Sequence, residues 1–148
     1  MATIGKHIQA SEGFKQNKES KDSDKPWKFD NISESQFKAM ADTGDILLFR
    51  GNRAACSLTR TVTNSHFDHV AMILRLDCDP DEVYYVESTG TYGVQIAAWD
   101  QLREHIGKDK FLEKIVFRHI KFTRGDEMVN KLEIFLNEVI GNKYSLAP

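Results

Sequence analysis

The chain contains 148 residues, and its 20 Lys and Arg side chains are balanced by 22 Asp and Glu side chains, for a formal net charge of −2. This length predicts one domain, and the absence of a basic excess argues against general nucleic-acid binding. No apolar run approaches the roughly 20 residues of a membrane-spanning helix, and the first residues lack the layout of a signal peptide. We therefore expect an intracellular protein without a transmembrane segment. The sequence makes no prediction of oligomeric state.

Residues 1–31 are rich in alternating Lys, Asp and Glu and contain few aliphatic side chains. Such a segment cannot bury enough apolar surface to offset the entropy lost on ordering. We interpret it as a flexible polar N-terminal arm, either a simple leader or a tail that binds a partner. Residues 32–148 are predicted to form the structured domain.

The first predicted helix begins at Ser33. Its side chain can cap the helix while Gln36, three residues later, returns the hydrogen bond as a capping box. The helix is expected to be short and to end at Gly44. Its inward residues are predicted to be Phe37, Met40 and Ala41.

Apolar and β-branched runs predict strands over residues 45–49, 67–76, 83–88 and 94–97, with further β-forming character over 111–122. The first strand is expected to be buried on both faces. Turns are expected at 77–81, where Asp is frequent, and at 89–93, where Gly is frequent. Between the first two strands, residues 56–62 can form two helical turns.

Two helices are predicted in the second half of the chain, over 99–106, closed by Gly107, and from about 126 to Gly141. Thr123 or Asp126 can cap the last helix. Its apolar residues at helical spacing are Met128, Leu132, Phe135, Leu136, Val139 and Ile140. This order of elements predicts an α+β domain with a small antiparallel sheet or barrel flanked by helices.

His69 lies near the beginning of a predicted strand, on the same face as Ala71 and Ile73. A strand holds the ring rigidly while the strand end stays accessible, which suits a general base; a purely structural histidine is the alternative. If the Asp-rich turn closes a hairpin, Glu87 on the next strand ends near His69 and can orient the imidazole. The alternative for Glu87 is a solvated carboxylate at a strand end. Asp68 points to the opposite face and is the weaker candidate.

A metal site is disfavoured, because His66 and His69 are three residues apart and face opposite sides of a strand, and no further ligands occur at a recognisable spacing. Neither a metal nor an organic cofactor is predicted. Tyr92, between Gly90 and Gly93, is expected to be exposed at a hairpin tip near the site and is a candidate substrate-groove residue.

Cys56 is the candidate nucleophile within the chain. At the N-terminus of a short helix, its thiolate would be favoured by the helix dipole and by Arg53 and Arg60. The alternative is a small buried thiol or an idle loop residue. Cys78 is expected in a turn, and the spacing of the two cysteines predicts reduced thiols without a disulfide.

Five ordered motifs carry a family resemblance: TGDILLF at 43–49, SHFDHVAMI at 65–73, YYVES at 84–88, GV at 93–94 and WDQL at 99–102. Together they resemble the permuted papain-like fold of the YiiX-type amidases and peptidases, which are related to NlpC-type hydrolases. The resemblance covers about residues 38–146. It implies His69 as general base, Glu87 as orienting acid, and a peptide, amide or lipid-acyl substrate.

The family's nucleophilic cysteine follows a segment similar to residues 141–146, and no residue of this sequence matches it. We expect a domain that lacks its last helix, so that this chain alone is inactive and the enzyme activity depends on sequence beyond Pro148. Two alternatives remain: a non-catalytic relative that binds a lipid or a peptide, or Cys56 acting as a substitute nucleophile.

Overall fold

A five-stranded antiparallel sheet organises the computed structural model, which describes residues 31–106 and 110–144. The strand order is β4-β3-β2-β1-β5, so the α+β class is confirmed, with an open sheet rather than a barrel. The elements are α1 (Glu34–Met40), β1 (Ile46–Gly51), α2 (Ala54–Thr63), β2 (His69–Leu76), β3 (Asp79–Thr89), β4 (Gly93–Ala98), α3 (Trp99–Arg103), β5 (Leu112–Arg118) and α4 (Asp126–Val139). The predicted arm, apart from Asn31, and Gly107 lie outside the described residues.

Helix α1 begins as the sequence predicts. The Gln36 N–H donates to Ser33 Oγ at 3.2 Å, and the Ser33 N–H donates to Gln36 Oε1 at 2.8 Å, which completes the capping box. Phe37 is buried and packs its ring 4.3 Å from that of Trp99. The start of the helix is therefore confirmed, together with its inward aromatic residue.

The end of α1 differs from the prediction. The chain leaves the helix at Ala41, three residues before Gly44. The cause is Arg75 of β2, whose guanidinium donates to the carbonyls of Lys38 and Ala41 and so satisfies the last turn. Gly44 instead occupies the turn before β1 with a φ of +88°.

Strand β1 is buried on one face only, which corrects the expectation of burial on both. Leu47, Phe49 and Gly51 are buried and alternate with partly exposed residues, among them Ile46 and Leu48. The reason is that α4 packs against β2, β3 and β4 and does not extend over this part of the sheet.

The two faces of the sheet carry separate cores. On the first face, α1 and α3 cover buried residues of β1, β2 and β3, and the cluster includes the aromatic residues Tyr85 and Trp99. On the second face, α4 packs Val129 and Leu136 against Leu74 and Val86. Apolar burial on both faces is the main stabilising contribution to such a three-layer arrangement.

Both hairpins are tighter than predicted. The turn between β2 and β3 consists of Asp77 and Cys78 alone, because Leu76 pairs with Asp79 and the rest of the predicted turn belongs to β3. The next hairpin pairs Thr89 with Gly93 and continues as far as Ala98. The long strand β3 therefore has a partner on each side.

The other helices also depart from their predicted bounds. Helix α2 is longer than two turns, and α3 ends at Arg103, before the predicted stop. Helix α4 is capped by Gly125 without a side-chain hydrogen bond, so neither Thr123 nor Asp126 is its cap. Phe135, one of the apolar residues at helical spacing, is 53% exposed.

After α4 the chain turns at Gly141, as predicted, and runs beside the edge strand β4. The Gly141 N–H donates to the Val94 carbonyl at 2.8 Å, and the Val94 N–H donates to the Asn142 carbonyl at 2.9 Å. This segment thus covers part of the β4 edge. Among the described residues, no helix combines the length and apolar character needed to cross a membrane.

Candidate functional site

His69 is the first residue of β2 and lies at one end of the sheet. It pairs across the strands with Phe49, and the two rings lie 5.4 Å apart. Its side chain is 31% exposed, whereas Ala71 and Ile73 farther along the same face are buried. The ring thus packs against Phe49 while part of the side chain stays accessible to solvent.

Glu87 approaches His69 diagonally across the sheet. The β2–β3 register pairs Met72 with Val86, which places Glu87 opposite Ala71, two positions from His69. At this spacing long side chains on one face can touch. Nε2 of His69 lies 2.7 Å from Oε2 of Glu87, so the predicted contact is confirmed, and the catalytic role of the pair stays a prediction.

Gln95 completes a chain of three polar side chains across three strands. It pairs directly with Glu87 in the β3–β4 hairpin, and its Nε2 donates to Glu87 Oε1 at 2.9 Å. Each carboxylate oxygen of Glu87 therefore has its own partner. Sequence reasoning missed Gln95, although the two glycines that bound the hairpin tip could have indicated its register.

The environment of Glu87 keeps its carboxylate ionised. Burial alone would raise the pKa, but the hydrogen bonds from His69 and Gln95 and the charge of His69 outweigh burial and hold the pKa of Glu87 below its ordinary value. The neighbouring Tyr85 is affected in the opposite sense. Burial, with a contribution from the charge of Glu87, raises the pKa of Tyr85 to about 12, so its phenol stays neutral.

The ionised carboxylate also determines which imidazole nitrogen can act as a base. A carboxylate only accepts hydrogen bonds, so the proton of a neutral His69 belongs on Nε2, which faces Glu87. Nδ1 then carries the lone pair that can accept a proton. This is the tautomer that a carboxylate-oriented general base requires.

Cys56 does not have the activated thiol that the sequence suggests. It is the third residue of α2, and its Sγ packs against Gly51 beside Asp68. Burial, together with the hydrogen bond and charge of Asp68, raises the pKa of Cys56, against the lowering effect of the Arg53 backbone and of Arg60. The expected lowering of the pKa is therefore wrong.

The two arginines expected to activate Cys56 are engaged elsewhere. Arg60 forms a close ion pair with Asp68 and donates to the Gly51 carbonyl at 2.8 Å. The guanidinium of Arg53 lies over the ring of Phe111, 4.4 Å from its centre. Asp68, the weaker carboxylate candidate, fastens α2 to the end of β1, since it also accepts the Gly51 N–H at 3.1 Å.

The remaining sequence candidates are exposed residues of loops and turns. Tyr92 is 70% exposed at the hairpin tip that follows β3, as expected, and its place in a substrate groove stays a prediction. His66 is exposed in the loop before β2, and Cys78 is exposed in the turn at the other end of that strand. Within residues 31–106 and 110–144, no cluster of three or more His, Cys, Asp or Glu side chains is placed to hold a metal ion.

The Gly44-Asp45 motif, part of the resemblance, serves the fold. Asp45 is fully buried, and its carboxylate accepts from Arg124 Nη2 at 2.7 Å and from the Ile120 N–H at 2.9 Å. Nδ1 of His119 lies 3.0 Å from its other oxygen. This network joins the start of β1 to the segment before α4, at the end of the sheet opposite His69.

A scan against protein-family models and a search of curated proteins found no match to this chain.

Proposed function

We propose that this domain supplies the acid–base part of a papain-like thiol hydrolase or acyl-transfer site. His69 is the general base and Glu87 is the residue that orients it. The observation that carries the proposal is the 2.7 Å contact between His69 Nε2 and Glu87 Oε2, which leaves Nδ1 available at an accessible sheet end.

The course of the chain after α4 supports the permuted papain-like arrangement. Residues 141–142 hydrogen-bond to Val94, and Val94 adjoins Gln95, which holds Glu87. In the family that the sequence resembles, the nucleophilic cysteine follows such a segment. We propose that a cysteine in that position, rather than Cys56, reacts with His69.

The reaction would proceed by nucleophilic acyl transfer without a metal. The thiol proton passes to Nδ1 of His69, the thiolate bonds to the acyl carbon, and the imidazolium returns the proton to the amine or alcohol as its bond to that carbon breaks. Water, deprotonated by the same ring, then bonds to the acyl carbon of the thioester, the carbon–sulfur bond breaks, and the imidazolium returns the proton to the departing thiolate. Glu87 stabilises the imidazolium in both steps. Substrates would be peptides, amides or lipid acyl esters.

The test uses the native coding sequence expressed in full and assayed with aryl amide, ester and thioester substrates. His69→Ala should lower kcat/KM by about 10²- to 10⁴-fold, the usual contribution of general acid–base catalysis. His66→Ala is the matched control, because His66 is an exposed histidine in the preceding loop, and it should retain full activity. Unchanged turnover in His69→Ala would refute the role of His69.

A second function, a non-catalytic binding domain of the same fold, is favoured by one observation. Among the described residues, Cys56 has a raised pKa and Cys78 lies in an exposed turn, so neither provides an activated thiol beside His69. Absence of turnover and of covalent acyl labelling in the full native protein would favour this alternative. Loss of activity in Cys56→Ser would instead identify Cys56 as the nucleophile.

A further inference from the structure

We infer that Gln95 is a positioning residue that fixes the Glu87 carboxylate so that Oε2 points at His69. The inference deepens the proposed function, on which its kinetic consequence rests. It stands on two contacts, Gln95 Nε2 to Glu87 Oε1 at 2.9 Å and His69 Nε2 to Glu87 Oε2 at 2.7 Å.

The strand register makes the Gln95 contact a rigid one. Glu87 and Gln95 are direct cross-strand partners, with further pairs on both sides of them in the same hairpin. The β4 backbone is also held on its outer side, where residues 141–142 hydrogen-bond to Val94. The sheet consequently holds the backbone of Gln95 in place opposite Glu87.

A carboxylate needs such a partner because its terminal torsion is soft. Rotation about the last bond of a glutamate side chain has a broad, roughly two-fold profile, so one hydrogen bond to His69 leaves the carboxylate plane poorly defined. A donor on the second oxygen defines the plane. Partners of this kind commonly matter for activity because they set the direction of the groups that they hold.

The amide group is suited to this task because it donates without carrying a charge. A Lys or Arg at this position would neutralise Glu87 and weaken its electrostatic support of the His69 imidazolium. The Gln95 amide keeps the negative charge available to His69. Without the amide, Glu87 Oε1, on a side chain only 13% exposed, would lose its donor.

The first experiment measures the contact without reference to activity, by NMR of the 148-residue protein and its Gln95→Met variant. Gln95→Met should raise the pKa of the Glu87 carboxyl in a ¹³C titration and reduce the share of His69 with the proton on Nε2 in ¹⁵N spectra. Gln101→Met, on an exposed residue of α3, is the matched control and should change neither signal. Gln95→Leu, which also removes the amide without adding a charge, tests the same point if Gln95→Met fails to fold.

Unchanged Glu87 and His69 signals in a folded Gln95 variant would overturn the inference. The second experiment measures kinetics in the full native protein, where Gln95→Met should lower kcat by about tenfold with KM within about twofold of the wild type. A kcat of Gln95→Met equal to that of the wild type would also overturn the inference. If the wild type shows no turnover, the proposed function fails, and the NMR result alone decides the role of Gln95.

Discussion

At the scale of single residues, Glu87 connects the candidate site to the stability of the fold. Its pKa is lower in the folded protein than its ordinary value of 4.5, because the hydrogen bonds from His69 and Gln95 outweigh the effect of burial. The ionised side chain therefore stabilises the folded protein at pH values above the ordinary pKa. This contribution is lost as the pH falls through the lower pKa of the folded state.

The prediction is that the stability difference between the wild type and Glu87→Gln shrinks as the pH falls below about 4.5. Urea unfolding over a pH series measures it. Glu104→Gln, on an exposed glutamate, is the control and should differ from the wild type by less than about 0.5 kcal/mol at every pH. A pH-independent difference for Glu87→Gln would contradict the assigned electrostatics.

Gly44 is needed for steric and for conformational reasons. Its φ is +88°, and a Cβ at this position would lie 2.6 Å from Cζ of Phe122. We expect Gly44→Ala to destabilise the protein by about 1–3 kcal/mol in urea unfolding. Gly90→Ala is the control, since a Cβ there meets nothing within 4 Å, and it should cost much less. Adding Phe122→Leu to Gly44→Ala should recover part of the loss, since it removes the clash.

At the scale of elements, α2 is the helix with the weakest attachment in the described part of the chain. None of its residues is buried, and Leu58 and Val62 are 66% and 78% exposed. Its main polar attachment is Arg60, which binds Asp68 and the Gly51 carbonyl. Segments with few buried contacts open locally at low free-energy cost.

We therefore predict that the amides of α2 exchange with deuterium faster than those of β2 and β3 in the wild type. Arg60→Ala should accelerate exchange in α2 by at least about tenfold, which corresponds to a loss of about 1.4 kcal/mol in the free energy of local opening. Exchange in the central strands should stay unchanged. Mass spectrometry of peptides from a deuterium-labelling series measures this. Arg103→Ala, on the exposed side of α3, should leave α2 exchange unchanged, and equal protection of α2 and β2 would contradict the prediction.

Local rules predict the start of α1 and the faces of β2, but not the end of α1. The capping box of α1 depends on two residues that are three apart in sequence. The alternation of β2 places His69, Ala71 and Ile73 on one face. Sequence reasoning could predict both features because each depends on neighbouring residues. The end of α1 could not be predicted in this way, because Arg75 on a later strand supplies the donors that terminate it.

The candidate site shows the same division. The His69–Glu87 contact followed from strand periodicity and one hairpin, and the structure confirms it. Gln95 required the register of a second hairpin. The raised pKa of Cys56 could not be foreseen, because it results from burial and from the neighbouring Asp68, and only the fold brings Cys56 and Asp68 together at Gly51. The same applies to Asp45 and Arg124, which are 79 residues apart.

At the scale of the whole molecule, one sheet separates two cores, and the second depends on α4. Leu136 is 1% exposed and packs in the cluster of Leu74, Val86 and Val129. Its neighbour Phe135 is 53% exposed, although both are apolar residues of one helix. Two adjacent apolar residues therefore differ strongly in burial. The sequence pattern alone does not distinguish them.

Truncating these neighbours tests how far the second core supports the whole fold. Leu136→Ala should cost about 2–5 kcal/mol, because it removes buried contacts and leaves a cavity between α4 and the sheet. Phe135→Ala, which removes a larger side chain, should cost less than about 1 kcal/mol, since about half of its surface already contacts water. Urea unfolding followed by tryptophan fluorescence measures both. Trp99 lies in the first core. If its fluorescence reports the same loss of unfolding free energy in Leu136→Ala, the two cores unfold together across the sheet. An equal cost for the two substitutions would contradict the packing of α4 described above.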